Sequence, residues 1–469
     1  MNIFSLLFLY LVLPLSALVY FLLPDIRRKN LALIVISLVM YGLAQPLHIL
    51  LMVVLSYLNY RFAFRIDPEE RGSVLLPAVL NVGILAGFKY FSLLLELFGV
   101  SLGGFEIMPI GLSIFVFSAI SYLADVYLGT VEPEEKFSNL LLYFLMFPKL
   151  LQGPIVPYAQ LRNQLEFRRT NPRSCFEGFQ RFLFGLAKKL LLADACGRLM
   201  IAFRTAEADF TLVGVWFTAI LFMFRVYYDF SGCCDMAIGL GRIFGFHYCE
   251  NFRRPYMALS VTEFCSRWNL TLSAFFKKYV YEPLGSDKLG KSRQALNMLI
   301  CLLLVGLWHS TGLNYLIWAV YLWAVLVLEM YLKDHINYWP DWVCRCWTWW
   351  LLLFGFILFS HEDLGELKLA LSGTLGYGGF SVAGTGRWIF SSIPLLFCCT
   401  IGCKNLPVLV KRVLAGVCGM DRQSARDDTV TPLRIVYAVG CVLVVLALLW
   451  LCTVAMTMNN PLPAIYGAF

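Results

Sequence analysis

The chain is built from uninterrupted apolar windows long enough to cross a bilayer. They fall near residues 3–24, 31–46, 47–64, 74–98, 109–129, 176–201, 210–230, 294–310, 314–332, 342–360, 387–403 and 434–457. A helix needs about 20 such residues to span the hydrocarbon core, and inside lipid every backbone N–H and C=O must find its partner within the protein. The expected fold is therefore all-α: a polytopic bundle of about 11–12 transmembrane spans. Composition agrees, with 59% hydrophobic and 14% charged residues against about 25% charged in an ordinary soluble domain. Residues 1–469 read as one integral membrane domain. Two further stretches, 138–156 and 231–247, are shorter and broken by Gly and Pro. We expect them to be re-entrant, since irregular backbone at membrane depth must be buried in protein or line a cavity.

The first run stays apolar through Leu23, and no Ala-x-Ala site follows, so it reads as a retained anchor and not a cleaved leader. The net charge of +8 does not point to nucleic acid, because the basic residues sit beside apolar runs. That placement fits loops facing anionic membrane lipid. Asp25 to Lys29, Arg61 to Arg71, and the 404–434 loop with Lys404, Lys411, Arg412, Arg422, Arg426 and Arg434 are expected to be cytoplasmic. Loops 45–48 and 99–108 carry no Lys or Arg and are expected outside, which puts the N-terminus outside as well. Most of the fifteen cysteines lie in apolar runs as small hydrophobic residues, and Cys344-x-Cys346 lacks partner ligands, so no metal site is expected.

The segment Asn251 to Gly290 is the most polar part of the central chain. Within it Trp268, Leu272, Phe275, Phe276 and Tyr279 share one helical face, while Arg267, Thr271 and Lys278 fall on another. This is the pattern of an interfacial helix. His309 is set in Gly306-Leu-Trp-His-Ser-Thr-Gly312 between apolar runs that carry no charge. An ionisable group inside a span is a functional candidate, although a histidine in a bundle also serves simply to hydrogen-bond a neighbouring helix. The other histidines, His48, His247, His335 and His361, lie at loops or span ends.

Several blocks occur in an order that resembles the membrane-bound O-acyltransferase family, in the branch of the alginate O-acetyltransferase membrane subunit and the teichoic acid D-alanyl transferase. They are Pro109-Ile-Gly-Leu-Ser113 with Ile120-Ser-Tyr-Leu-Ala-Asp-Val-Tyr127, Phe147-Pro-Lys-Leu-Leu-Gln-Gly-Pro-Ile155, and Tyr228-Asp-Phe-Ser-Gly232 with Asp235-Met-Ala-Ile-Gly-Leu-Gly241. Asn251-Phe-Arg-Arg-Pro-Tyr256, Phe264-Cys-Ser-Arg-Trp268, Tyr279-Val-Tyr-Glu-Pro-Leu-Gly285 and Trp308-His309-Ser310 continue the match, which runs over about residues 25–330. The resemblance implies a multi-pass enzyme of a bacterial cytoplasmic (inner) membrane. It implies a cytoplasmic acyl donor, an acceptor outside, and a central tunnel with His309 near its midpoint. The sequence departs from the branch twice. Asn269 stands where the branch has a second histidine, and Ser310 replaces the glycine after His309, a change expected to tighten the local backbone.

Acyl transfer from a thioester to a hydroxyl needs a base, a stabilised tetrahedral oxyanion and two substrates held together. Histidine suits the first task because its pKa lies near neutrality. We therefore expect His309 as the base and Asn269 as a positioning amide, which offers both a donor and an acceptor at any physiological pH. Lys149, Gln152, Asp229, Trp268, Trp308, Lys277 and Lys278 are the candidates for substrate binding or for lining the tunnel. For Asp229, as for Asp125 and Asp235, capping or ion pairing is at least as good a reading. The paired Lys277 and Lys278 suit either a phosphate-rich donor or anionic lipid.

The expected function is O-acylation, with acetyl-coenzyme A as donor, no tightly bound cofactor, and a cell-surface polysaccharide as the acceptor. A secreted SGNH-type acetyltransferase is the expected partner. Within the class, D-alanyl transfer from a carrier protein to teichoic acid is the alternative. Outside it, the alternative is a transporter or channel with His309 as a proton relay, although no inverted repeat is evident. Charge places the 404–434 loop inside and the 361–386 loop, with Lys368 and Arg-free flanks to residue 386, outside. Single cysteines introduced into a cysteine-free chain should react with an impermeant reagent in intact cells at 361–386 and not at 404–434; the reverse labelling would invert the topology.

Overall fold

The computed structural model describes residues 3–98, 108–150, 153–205, 210–285, 290–336, 338–381, 384–403, 413 and 432–465. It is an all-helical bundle with no strand among these residues. The N-terminal group comprises α1 (Leu13–Leu22), α2 (Ile26–Ala44), α3 (Pro46–Ala63) and α4 (Arg71–Leu97). It is followed by α5 (Leu112–Tyr127), α6 (Phe137–Leu145), α7 (Phe147–Leu150) and α8 (Tyr158–Glu166). The centre holds α9 (Pro172–Ala187), α10 (Asp194–Thr205), α11 (Leu212–Ile243), α12 (Val261–Cys265) and α13 (Leu270–Phe276). The chain closes with α14 (Lys291–His309), α15 (Leu313–Ile336), α16 (Asp341–Ser360), α17 (Leu364–Thr374), α18 (Thr385–Gly402) and α19 (Pro432–Met458).

Six of the described helices are long and apolar enough to cross a membrane: α3, α11, α16, and the Arg71–Phe91, Leu313–Leu332 and Ala438–Met458 parts of α4, α15 and α19. Apolar windows overstate the number of such helices for physical reasons. α5 is only 16 residues long. α2 opens with Ile-Arg-Arg-Lys. The 176–201 window is divided between α9 and α10 by a π-helical stretch at Lys188–Ala193 that buries the charged Lys189.

α11 is the axis of the bundle: 72% of its most apolar window is buried, against 11% for α4 and 22% for α19. Its start is capped by the Thr211 hydroxyl, which accepts from the Gly214 N–H at 3.1 Å. α9 begins with Pro172 at its first position and a reciprocal cap, in which the Asn171 carboxamide accepts from the Ser174 N–H at 2.7 Å. The expected break at 231–247 is absent, because α11 runs unbroken from Leu212 to Ile243. Its glycines serve contact, not bending. A Cβ on Gly239 would lie 2.6 Å from the Gly178 carbonyl, and one on Gly232 would lie 2.7 Å from the Gly185 carbonyl. The two helices therefore touch backbone to backbone through two glycine pairs spaced seven residues apart.

The 138–156 stretch is broken as its composition suggests. α6 ends at Leu145, and the ψ of 116° at Met146 turns the chain out of the helix before Pro148. The freed Phe147 N–H donates to the buried Ser37 hydroxyl at 3.1 Å, so the irregular backbone is satisfied inside protein. The expected amphipathic helix around Trp268 is a short one, α13, continued by a π-helical turn at Lys277–Tyr281. Both of its faces meet protein: Leu272, Phe275 and Phe276 pack on Phe117, and Thr271 from the polar face is buried as well.

The glycine interlock predicts a severe effect from one substitution. In Gly239→Leu the new side chain meets backbone that cannot swing away, so the cost should exceed the roughly 1–3 kcal/mol of ordinary overpacking. Detergent-extracted Gly239→Leu should fail to elute as a monodisperse species; a normal elution with an unchanged Tm would show that α9 and α11 do not pack this closely.

Candidate active site

His309 is the last residue of α14 and is 5% exposed. The hairpin that carries it closes because Gly306 lets α14 approach α15: a Cβ there would lie 2.9 Å from the Tyr315 carbonyl. The imidazole stands in an aromatic box. Its centroid is 6.1 Å from Tyr315, stacked, and 5.7 Å from Trp318 and 5.1 Å from Phe359, both edge-on. These rings come from α15 and α16. Ser310, where a glycine was expected, has φ −161° and ψ 176°. This is ordinary extended backbone that any residue adopts, so the substitution does not tighten the turn.

The end of α14 is held from outside. A helix leaves its last carbonyls without intrahelical partners. Here α4 supplies them: the Lys89 ammonium donates to the Trp308 carbonyl, and the Tyr90 hydroxyl donates to the Leu307 carbonyl at 2.8 Å. A cation at a helix C-terminus also complements the helix dipole. Neither residue was singled out from sequence. The available signal was a lysine inside the apolar 74–98 window, which a search for intramembrane charge would have found.

Asn269 precedes α13 with φ 44° and is buried. Only it and Arg254 among the described non-glycine residues have positive φ. Asparagine and histidine both tolerate this left-handed region better than most residues, which explains the chemistry found at this position. Neighbouring bonds fix the turn. The Asn251 carbonyl accepts from the Leu270 N–H at 3.0 Å, and its side-chain oxygen accepts from the Thr271 N–H at 3.0 Å and hydroxyl at 2.7 Å. The Thr271 hydroxyl in turn accepts from the Ile155 N–H at 3.0 Å. Asn251, read from sequence only as the start of a family block, is thus the residue that fixes this turn.

His309 and Asn269 line the same cavity, of about 220 Å³, with Trp268 beside them. The rest of its wall is mainly apolar, including Leu272, Phe276 and Phe359. Its other polar groups are few: Ser273 at an exposed edge, and Tyr321, whose hydroxyl is committed to the Leu351 carbonyl at 2.8 Å.

The remaining candidates lie elsewhere. Trp308 does not line the cavity; its ring packs edge-on against Phe117, with centroids 5.5 Å apart, and lies 4.7 Å from the His309 ring. Lys149 is fully buried, with its ammonium 3.8 Å from the Tyr143 ring centroid and 3.4 Å from the Ser118 hydroxyl. Asp229 pairs with Lys189 at 2.6 Å and accepts from the Ile465 N–H at 2.7 Å, which ties the C-terminal segment to the core. Lys278 pairs with Asp125 at 2.5 Å, and Lys277 is exposed. Gln152 lies outside the described residues.

Fold and cavity define a polytopic membrane protein that encloses an imidazole and an amide in an apolar interior. Comparison with known proteins adds the chemistry. Residues 33–360 match the model of the membrane-bound O-acyltransferase family. The probable alginate O-acetylase AlgI of Pseudomonas aeruginosa is 31% identical over 383 residues, covering 76% of this chain and 71% of that protein. The peptidoglycan O-acetyltransferase of Helicobacter pylori is 28% identical, covering 80% of each chain. The teichoic acid D-alanyltransferase of Bacillus subtilis is 24% identical, covering 54% of this chain and 69% of that protein. The chain belongs to the membrane-bound O-acyltransferase family and is an O-acyltransferase.

The α4 contacts can be tested apart from catalysis. Lys89→Met leaves the Trp308 carbonyl without its charged donor and should cost about 1.5–3 kcal/mol, while Tyr90→Phe should cost about 0.5–1.5 kcal/mol. Thermal unfolding in detergent should rank them in that order; equal and negligible shifts would mean the α14 terminus is held by other means.

Proposed function

We propose that this O-acyltransferase moves an acetyl group from acetyl-coenzyme A on the cytoplasmic side to a hydroxyl of a cell-surface polysaccharide, through a tunnel that passes His309, and hands it on with an extracytoplasmic SGNH-type partner. The observation that carries this reading is the placement of His309 and Asn269 on one small apolar cavity. At about 220 Å³ it is below the roughly 300–1,000 Å³ usual for sites that hold larger ligands, and it suits a short acyl group. The greater coverage by an alginate O-acetylase and a peptidoglycan O-acetyltransferase than by a D-alanyltransferase favours acetyl over D-alanyl.

In this mechanism the His309 imidazole takes the proton from the attacking hydroxyl as the oxygen bonds to the thioester carbonyl carbon. The Asn269 carboxamide donates to the carbonyl oxygen as it gains negative charge. Collapse of the tetrahedral intermediate expels the thiolate, which recovers the proton from the imidazolium. The apolar wall excludes water and so limits hydrolysis of the donor.

His309→Ala should lower turnover by about a hundred- to ten-thousand-fold without loss of folded protein. Asn269→Ala should lower the rate, and Asn269→His should retain part of it. Transfer of radiolabelled acetyl by the purified protein is the measurement. Near-normal turnover in His309→Ala would remove the histidine from the mechanism, and a wild-type protein that accepts D-alanyl carrier but not acetyl-coenzyme A would replace the donor.

A further inference from the structure

A second and larger cavity, about 520 Å³, lies between α9, α11 and the 250–254 segment. We propose that it binds the phosphate groups of the acyl donor, leaving the thioester end to reach the His309 cavity; this rests on the proposed use of a phosphate-bearing thioester. The carboxylates in its wall are already neutralised. Asp235 is held by Arg181 at 2.7 Å and Lys188 at 2.6 Å, Glu250 by Arg181 at 2.5 Å, and Glu177 by Arg242. Two further cations in the wall, Arg253 and Arg254, make no ion pair among the described residues and are exposed at its mouth. The surplus charge is therefore positive and presented as two guanidinium forks, the geometry that suits phosphate oxygens.

The backbone singles out this pair. Arg254 has φ 51° and ψ 60°, the left-handed region, immediately before Pro255, which restricts the preceding residue further. Such a conformation costs about 1–3 kcal/mol and persists only where its surroundings impose it. Here the Arg253 N–H donates to the Arg267 carbonyl at 3.0 Å, which locks the arginine pair to the turn that carries Asn269. The two strained residues of the described chain thus sit on one hydrogen-bonded unit, one facing each cavity.

Only packed aromatic rings separate the two cavities. Phe252 and Tyr227 line the cationic cavity, and their ring centroids lie 5.0 Å and 6.1 Å from Trp268, which lines the other. The cationic cavity also sits at the basic end of the bundle. Arg242 is in the last turn of α11, and the Phe244 carbonyl beyond it accepts from Tyr20 at 2.8 Å and Arg168 at 3.0 Å. Arg168 reaches Asn30 at 2.6 Å, beside the Asp25–Lys29 loop. That is the end which loop charge assigns to the cytoplasm, where the donor is made.

The test uses the full chain in lipid nanodiscs and the double variant Arg253→Ala/Arg254→Ala. The KM for acetyl-coenzyme A divided by that for S-acetylpantetheine, which has no phosphate, should rise at least tenfold. Desulfo-coenzyme A binding should weaken to a similar degree, and lysine at both positions should restore part of each. These shifts should be the same in phosphatidylcholine and in phosphatidylcholine with phosphatidylglycerol. An unchanged KM ratio with unchanged desulfo-coenzyme A binding overturns the proposal. So does an effect that appears only with phosphatidylglycerol, which would assign the phosphate to lipid. A wild-type chain that binds desulfo-coenzyme A in an Arg253- and Arg254-dependent way but transfers no acetyl would sink the acetyl-transfer reading and leave this site standing.

Discussion

The close contact of α9 with α11 is the constraint on which the rest depends. Inside lipid there is no hydrophobic gain in bringing two apolar helices together, so packing and hydrogen bonding must do it. The glycine pairs Gly178 with Gly239 and Gly185 with Gly232 bring the two backbones into direct contact. The consequence is electrostatic. With the backbones touching, Arg181 of α9 and Lys188 just past its end reach Asp235 of α11, and Lys189 reaches Asp229 at 2.6 Å. Charges that would be costly alone in lipid become paired, and Asp229 and Asp194 then anchor the C-terminal segment through the Ile465 and Leu462 N–H groups.

On this frame hangs the short irregular stretch from Asn251 to Asn269. It contains no long helix, and its polar backbone survives at depth because Asn251, Arg267 and Thr271 close its hydrogen bonds. The same closure holds two residues in left-handed backbone and turns Asn269 towards the His309 cavity. His309 is held by a different device. α14 ends beneath the aromatic box, and Lys89 and Tyr90 of α4 take up its terminal carbonyls. Two unrelated parts of the fold therefore fix His309 and Asn269 on one cavity.

The residues of the candidate site were legible in the sequence, and what was missed has physical causes. The isolation of His309 between uncharged runs marked it, and the family blocks marked Asn269 and Trp268. Composition misjudged 231–247, because glycine in a membrane helix signals either a break or a close contact, and only the partner helix shows which. Lys149 was singled out for its place beside Gly153-Pro154 and Lys278 as a contact for donor phosphate or anionic lipid, and the partners that hold them could not be read from sequence. One lies against the Tyr143 ring and the other against Asp125, and neither partner is near in sequence.

The sequence by itself determined the solvent, the secondary structure and the chemistry at hand. Apolar windows of spanning length leave a chain little choice but helices, and an imidazole set among them is exceptional enough to be read directly. The tertiary structure alone decided which polar groups share a space. Asn269 and His309 are forty residues apart, and Lys89 lies more than two hundred residues from the helix end it secures. Such meetings depend on how helices cross, and crossing is set by small residues and distant hydrogen bonds. Periodicity along one helix carries no record of them.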